Sequence, residues 1–251
     1  MLHNLHTHTA RCNHAQGTDR EYIEHAIKAG MKTLGLSDHA PYLFPDKAYS
    51  STHRMATDEI FDYANSIHAL QKEYASDIRI LLGFELEYYP EFHKDEMAFL
   101  SQASPDYLLL GQHFIGREYD REISIRITEN NDLEQYVTQV LAGLATGDFL
   151  YLAHPDLAGF ACDESVWKRE YRRLCEGAKR LDIPLEINFL GMRGNRHYPN
   201  EKFFEIAGQV GNKVVFGADA HEPWFVNDII SEEKAKEMVK KLGLQLIEKP
   251  L

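Results

Sequence analysis

MLHNLHTH, residues 1–8, reads as a β-strand ending on two histidines, His6 and His8. Side chains at i and i+2 of an extended segment point to the same side, so both imidazoles can face one ion. Six further apolar runs of strand length follow: TLGLSDH (33–39), IRILLGFELE (78–87), YLLLGQH (107–113), FLYLAHPD (149–156), PLEIN (184–188) and VVFGADAH (214–221). They place Asp38, His39, Glu85, His113, His154, Asp219 and His221 at or just past strand carboxyl ends. Two runs lack a histidine: IRILLGFELE ends on Glu85 and Glu87, and PLEIN carries Glu186 and Asn188.

Helix signals lie between these runs. Thr18 or Asp19 caps DREYIEHAIKAG, which stops at Gly30. Thr57 opens TDEIFDYANSIHALQKEYA, with Ile60, Tyr63, Ala64, Ile67 and Leu70 on one face. Strand and helix alternate about seven times, which predicts an α/β fold with a parallel sheet. An open doubly wound sheet would gather its site at one switch point. Here ligand-type residues follow almost every strand, which favours a TIM-like barrel whose strands all end on one face. At 251 residues the chain has the size of one such domain, and no linker, repeat or low-complexity tract divides it; a single domain over 1–251 is expected. Three long loops, 40–56, 114–131 and 189–200, leave strand carboxyl ends and are the expected walls of a pocket.

A formal charge of -12 argues against a nucleic-acid surface, which is normally basic. It leaves a small anionic substrate open, because bound divalent ions reverse the field inside a pocket. The three cysteines, Cys12, Cys162 and Cys175, are odd in number and show no CxxC spacing, so a reducing compartment fits better than a disulfide framework. No signal-peptide pattern precedes His6 and His8, and no apolar stretch is long enough to span a bilayer. A cytoplasmic protein with no membrane partner is expected; oligomeric state is not legible.

A rim of neutral imidazoles and carboxylates is a ligand set for Zn, Mn or Fe, and several such residues together point to a multinuclear metal hydrolase. Glu85 ends a run too apolar for an exposed strand. A buried carboxylate is costly unless paired or metal-bound, which suggests that it bridges two ions, with Glu87 as the nearest competitor. His113 and His154, taken singly, read as hydrogen-bonded core histidines; their convergence with the rest makes them ligands. His14 stays open on residues alone, a surface histidine being the default in a loop. Asp38 points away from His39 along the strand and is expected to orient an imidazole rather than bind metal. Cys12 lies between His8 and His14, near enough in sequence to touch a metal, although a small buried residue is the plainer reading.

NLHTHT, GLSDHAP, GFELEY, GQHF, LAHPD, EIN and FGADAH, in this order, resemble the polymerase and histidinol phosphatase (PHP) superfamily, and within it the monofunctional histidinol-phosphatase branch. The resemblance covers residues 3–227. It implies a distorted (β/α)7 TIM-like barrel and three divalent ions. It implies that His6, His8, Glu85 and Asp219 hold the first ion. Glu85 as a bridge, with His113 and His154, would hold the second, and His14, His39 and His221 the third. It also implies hydrolysis of histidinol phosphate by a metal-bridging hydroxide, a step of histidine biosynthesis.

Glu85, Asp219 and His221 would then carry the catalytic centre. Guanidinium matches phosphate oxygens in bidentate fashion, so Arg193 and Arg117 on the long loops are the favoured phosphate contacts, with Arg196 and His197 weaker. Asp156 is a candidate proton donor to the leaving group. Tyr42, with Phe44 and Tyr49, is placed to stack on an imidazole, and Glu186 and Asn188 to receive positive charge. The nearest rival is a PHP-type phosphoesterase acting on another small phosphorylated metabolite or a short nucleotide. An amidohydrolase would need a bridging lysine, and no lysine ends a strand. A degenerate barrel serving as a binding protein would have lost ligands, and none is missing.

Overall fold

Strand placement follows from where the chain alternates buried runs with capped helices. A computed structural model describes residues 1–45, 49–119, 129–158 and 162–251; parts of the expected loops 40–56 and 114–131, namely 46–48 and 120–128, lie outside them. The chain forms two compact units interleaved in sequence. One comprises Met1–Leu86, Pro90–Leu109 and Gly217–Ile229, the other Glu87–Tyr89, Leu110–Phe216 and Ile230–Leu251.

The first unit contains β1 (His3–Asn4), α1 (Asp19–Lys28), β2 (Thr33–His39), α2 (Ile60–Glu73), β3 (Arg79–Leu86), α3 (His93–Leu100) and most of β4 (Tyr107–Leu110). β1 pairs with β2 and β2 with β3, both parallel, and the second register runs from Thr33↔Arg79 to His39↔Glu85. Of the two expected candidates, Thr18 and Asp19, it is Thr18 that caps α1, in a reciprocal capping box with Glu21. On α2 the predicted face of Ile60, Tyr63, Ala64, Ile67 and Leu70 is buried, although a 3-10 turn over Thr57–Glu59 precedes the helix.

The first expected strand is cut short. β1 ends at Asn4, and beyond it only Thr7 forms a bridge, parallel to Ala220. The amide side chain of the buried Asn4 takes over the pairing. Its Oδ1 accepts from the backbone N–H of His6 (3.2 Å) and of Ala218 (3.0 Å), and its Nδ2 donates to Thr7 Oγ1 (2.7 Å).

The second unit holds α4 (Asn130–Leu144), β5 (Tyr151–Leu152), α5 (Glu164–Arg180), β6 (Leu185–Asn188), α6 (Phe189–Arg193), α7 (Glu201–Val210), most of β7 (Lys213–Gly217), most of α8 (Ile229–Leu242), and β8 (Gln245–Leu246). β5 runs parallel to β6, and β7 parallel to β8. β8 adds to the seven strands expected; two residues are too few to show a period. The expected loop 189–200 opens with α6, whose N-terminus is capped by the Asn188 side chain accepting from Gly191 N–H (3.1 Å).

Tyr107 explains two glycines in adjacent strands of the first unit. Its hydroxyl donates to the Leu5 carbonyl at 2.6 Å, and its ring lies against Gly35 and Gly83. A Cβ on Gly83 would stand 2.4 Å from the ring, and one on Gly35 2.1 Å from the hydroxyl oxygen. Close approach, not backbone conformation, fixes both glycines. Gly83→Ala should therefore lower stability by about 1–3 kcal/mol, the usual cost of overpacking. A urea midpoint unchanged from wild type would show that the ring can move aside.

Candidate metal centre

Thr7 and Ala220 bridge the two segments that carry ligand pairs, so the residues flanking each, His6 with His8 and Asp219 with His221, emerge on either side of one contact. The backbone N–H of His8 donates to the Ala220 carbonyl at 2.9 Å and locks this alignment. The β2–β3 register sets His39 beside Glu85, and His39 Nδ1 lies 3.0 Å from Glu85 Oε2. All these residues belong to the first unit.

Four of them form a tight, buried set. The Nε2 atoms of His6 and His8 are 3.2 Å apart. Glu85 Oε2 lies 3.6 Å from His6 Nε2 and 3.5 Å from His8 Nε2, and Asp219 Oδ1 lies 3.8 Å and 3.2 Å from the same atoms. Donors each about 2 Å from one tetrahedral ion stand roughly 3.3 Å from one another. The observed spacings are thus those of ligands around a single ion.

His14, His39 and His221 gather beside this set. His14 lies with ring centroids 5.3 Å from His39 and 4.7 Å from His221, and His8 stacks on His221 at 4.2 Å. Nδ1 of His14 donates to the Cys12 carbonyl at 2.8 Å, which leaves Nε2 for a ligand. Sequence alone left His14 open; its place in this cluster is what the fold adds.

Charge in the cluster follows from burial. Burial raises the Asp219 carboxyl, but the nearby His6, His8 and His221 hold it well below the usual carboxylate range. Burial lowers His8, yet hydrogen bonds to Asp219 and Asp38 carry it well above an ordinary imidazole. His221 is pushed well down by burial and then by His8, and His14 down by the same two causes. One buried ring nitrogen, His221 Nε2, has no hydrogen-bond partner. Imidazoles lowered at His14 and His221, a lowered Asp219 carboxyl and an orphaned ring nitrogen fit a divalent cation.

Asp38 orients an imidazole as expected, but that of His8. Its Oδ1 lies 3.5 Å from His8 Nδ1 and accepts from the His39 backbone N–H at 2.8 Å, while Oδ2 accepts from Thr9 Oγ1. Asn4 was not singled out in the sequence, and its only signal there was a polar residue inside an apolar run.

In the second unit His113 and His154 have ring centroids 4.7 Å apart. Glu87, the competitor of Glu85, turns out to serve His113: its Oε1 accepts from His113 Nδ1 at 3.1 Å and its Oε2 accepts from Tyr89 Oη. Glu186 and Asn188, expected to meet substrate charge, are fully buried and bonded internally. Glu186 Oε2 accepts from His154 N–H (2.9 Å) and from Asn188 Nδ2 (2.9 Å), so the pair positions His154 and starts α6. His154 (φ 28°) and Asp219 (φ 45°) both hold left-handed backbones, a strain of about 1–3 kcal/mol each that clusters at functional sites.

Asp156 is buried, and its Oδ2 accepts from Asn200 N–H. Burial pushes its carboxyl up to about 7. Arg193 ends α6 and is half-buried. Arg117 lies over the Tyr119 ring at 5.0 Å. Arg196 is exposed and donates to Tyr198 Oη at 2.8 Å, and His197 Nε2 donates to the Leu157 carbonyl at 2.8 Å; both therefore brace the chain after α6.

Tyr42 is buried, stacked on Phe44 at 5.2 Å and covered by the Arg54 guanidinium at 5.1 Å. With Asn13, Tyr49 and Met55 these residues line a cavity of about 540 Å³ in the first unit.

The model of the PHP domain family matches residues 4–188. The chain belongs to the PHP family. The histidinol-phosphatase of Bacillus subtilis is 27% identical over 86% of this chain and 92% of its own length. Among solved structures, HisK of Listeria monocytogenes superposes with a TM-score of 0.70 at 23% identity, over 92% of this chain and 99% of that one. Histidinol phosphate phosphatase of Lactococcus lactis, solved with zinc, L-histidinol and phosphate, gives 0.73 at 17% identity, over 98% and 95%. These likenesses establish the fold as the TIM-like α/β barrel expected from the sequence. Among the described residues no helix is long and apolar enough to cross a membrane.

The segment around Tyr42 is tied down by Glu96 of α3, whose Oε2 accepts from Leu43 N–H at 3.2 Å. Burial pushes the Glu96 carboxyl up to about 8 from the ordinary 4.5. A folded value above the unfolded one means a contribution fully present below about 4.5 and lost as pH rises through about 8. Between about pH 5 and 8, wild-type stability should fall more steeply than that of Glu96→Gln, by roughly the linkage slope of one proton. Parallel urea-midpoint profiles for the two proteins would mean that Glu96 ionises freely.

Proposed function

We propose that this PHP-family chain is a metal-dependent phosphomonoesterase that hydrolyses L-histidinol phosphate to L-histidinol and phosphate, a step of histidine biosynthesis. The spacing of His6, His8, Glu85 and Asp219 as ligands of one ion carries the metal-dependent part of this reading. The substrate is taken from what the Bacillus subtilis and Lactococcus lactis relatives are said to act on or to bind. The ligands are His6, His8, Glu85 and Asp219, with His14, His39, His113, His154 and His221 completing a set for three ions of Zn, Mn or Fe. When bound, such ions neutralise phosphate charge and lower the pKa of water to near neutrality.

The chain's own residues do the rest. Asn4, Asp38, Glu87 and Glu186 hold ligands in place, so that the donors are set before substrate arrives. Arg193 and Arg117 bind the phosphate oxygens, where guanidinium geometry suits a tetrahedral dianion. Asp156, buried near His154 in sequence, delivers a proton to the departing alcohol. Tyr42, in the wall of the 540 Å³ cavity, is the aromatic contact for the organic part of the substrate. Arg196, His197, Glu186 and Asn188 leave the substrate-contact set, because each is engaged in bracing the chain.

Phosphate release from histidinol phosphate, beside sugar phosphates, nucleotides and an aryl phosphate, tests this on protein stripped with chelator and reloaded with Zn, Mn or Fe. A preference for histidinol phosphate that appears only after reloading is expected. Even, weak turnover across the panel would instead favour a PHP-type phosphoesterase of another small metabolite. Arg193→Ala should lower kcat/KM at least about tenfold, since a charged hydrogen bond contributes roughly 1.5–3 kcal/mol. Unchanged kinetics would take Arg193 out of the site.

A further inference from the structure

The turn that follows the His6–His8 pair carries a buried thiol among the imidazoles. Cys12 ends a 3-10 turn (Ala10–Cys12) and is fully buried. Its sulfur lies with a ring nitrogen of His14 and one of His221 in a group whose ligating atoms are all within 4.8 Å of one another. The same sulfur forms a second such group with His8 and Asp38. We infer that Cys12 supplies a sulfur donor to the ion held by His14 and His221, an inference that rests on the metal-dependent reading above.

Backbone contacts hold the sulfur in this place. The Cys12 N–H donates to the Thr9 carbonyl at 3.2 Å, and the Cys12 carbonyl accepts from His14 Nδ1 at 2.8 Å. Thr9 is itself anchored by its hydroxyl to Asp38. The turn thus presents the sulfur and His14 Nε2 as one rigid unit. The neighbouring groups suit a cation. His221 Nε2 is buried with no partner, while its Nδ1 faces the Asp219 carbonyl at 3.3 Å. His8, only 1% exposed, faces Asp38, whose Oδ1 lies 3.5 Å from its Nδ1. Asp38 brings negative charge to the same group.

A sulfur donor changes which ion the position prefers. Thiolate is soft and favours zinc or iron, whereas manganese and magnesium favour oxygen. The remaining ligands, imidazole and carboxylate, discriminate poorly among zinc, manganese and iron. Cys12 therefore makes this position the selective one of the centre.

The test is made on full-length protein stripped with chelator and reloaded with zinc alone. Zinc per chain is counted by elemental analysis, and the zinc X-ray absorption edge reads its neighbours directly. A sulfur at about 2.3 Å is expected in the wild type. Cobalt-loaded wild type should show a near-ultraviolet sulfur-to-cobalt charge-transfer band that both Cys12→Ser and Cys12→Ala lack. The affinity of the weakest zinc should fall by about tenfold or more in those variants, with manganese affinity less affected. Zinc bound by nitrogen and oxygen only would overturn the inference and leave the metal-dependent reading standing. Failure to bind zinc at all would overturn both. The wild-type absorption edge needs no variant, so poor folding of either substitution leaves the answer intact.

Discussion

Two carboxylates and two imidazoles, all buried, stand about one ligand edge apart in the first unit, and that crowding is the constraint on which the other features depend. Glu85 and Asp219 would each repel the other's charge across a poorly screened interior. Neighbouring imidazoles offset part of this, as the opposed shifts of His8 and Asp219 express. A divalent cation offsets more of it and satisfies the facing nitrogens at once. The fold therefore maintains an electrostatic deficit that only a cation can remove, and binding free energy is drawn from that deficit.

Several structural choices make sense only as ways to keep these groups crowded. Thr7 bridges Ala220 so that two i, i+2 pairs meet. Asn4 replaces a strand's backbone ladder with its side chain and pins the start of one pair to Ala218, just before the other. The β2–β3 register brings His39 to Glu85. Left-handed backbones at Asp219 and His154 store strain at two ligands, and around His154 the buried Glu186 and Asn188 supply the bonds that hold it. In each case a short polar contact in a dry place fixes a geometry that packing alone would leave loose.

What was legible in the sequence is what depends on local pattern. The period of Ile60, Tyr63, Ala64, Ile67 and Leu70 gave α2, and a capping residue at Thr18 or Asp19 gave the start of α1. Ligand-type residues at strand ends, His39 and Glu85 among them, pointed to the cluster of the first unit, where β2 and β3 run parallel in one register. What was missed depends on pairs far apart in the chain. Asn4 reaches Ala218 across more than two hundred residues, and no window of sequence contains both. Glu87 looked like a rival to Glu85 at the same spacing, yet β3 ends at Leu86 and the carboxylate turns to His113. Glu186 and Asn188 looked like polar residues awaiting a ligand, and each proved to be the partner of a backbone group. Their burial could not be read from PLEIN, since a strand end that faces substrate and one that braces a ligand carry the same residue types.

The acidic surface and the metal centre together bear on how large a substrate the chain can take. Beyond about 8–10 Å, salt screens the field of a bound ion, so its attraction reaches the phosphate it touches and little else. Any flanking phosphate of a nucleic acid would meet a protein of net charge -12 without the counterion release that drives polyanion binding. A single phosphate ester avoids that penalty: its charge is met by the ions and by loop arginines, and its organic part need carry no further negative charge. Histidinol suits this arrangement because its amine, and its imidazole when protonated, are drawn rather than repelled by an acidic surface. Net charge of this sign thus favours a small phosphate ester over a polyanion.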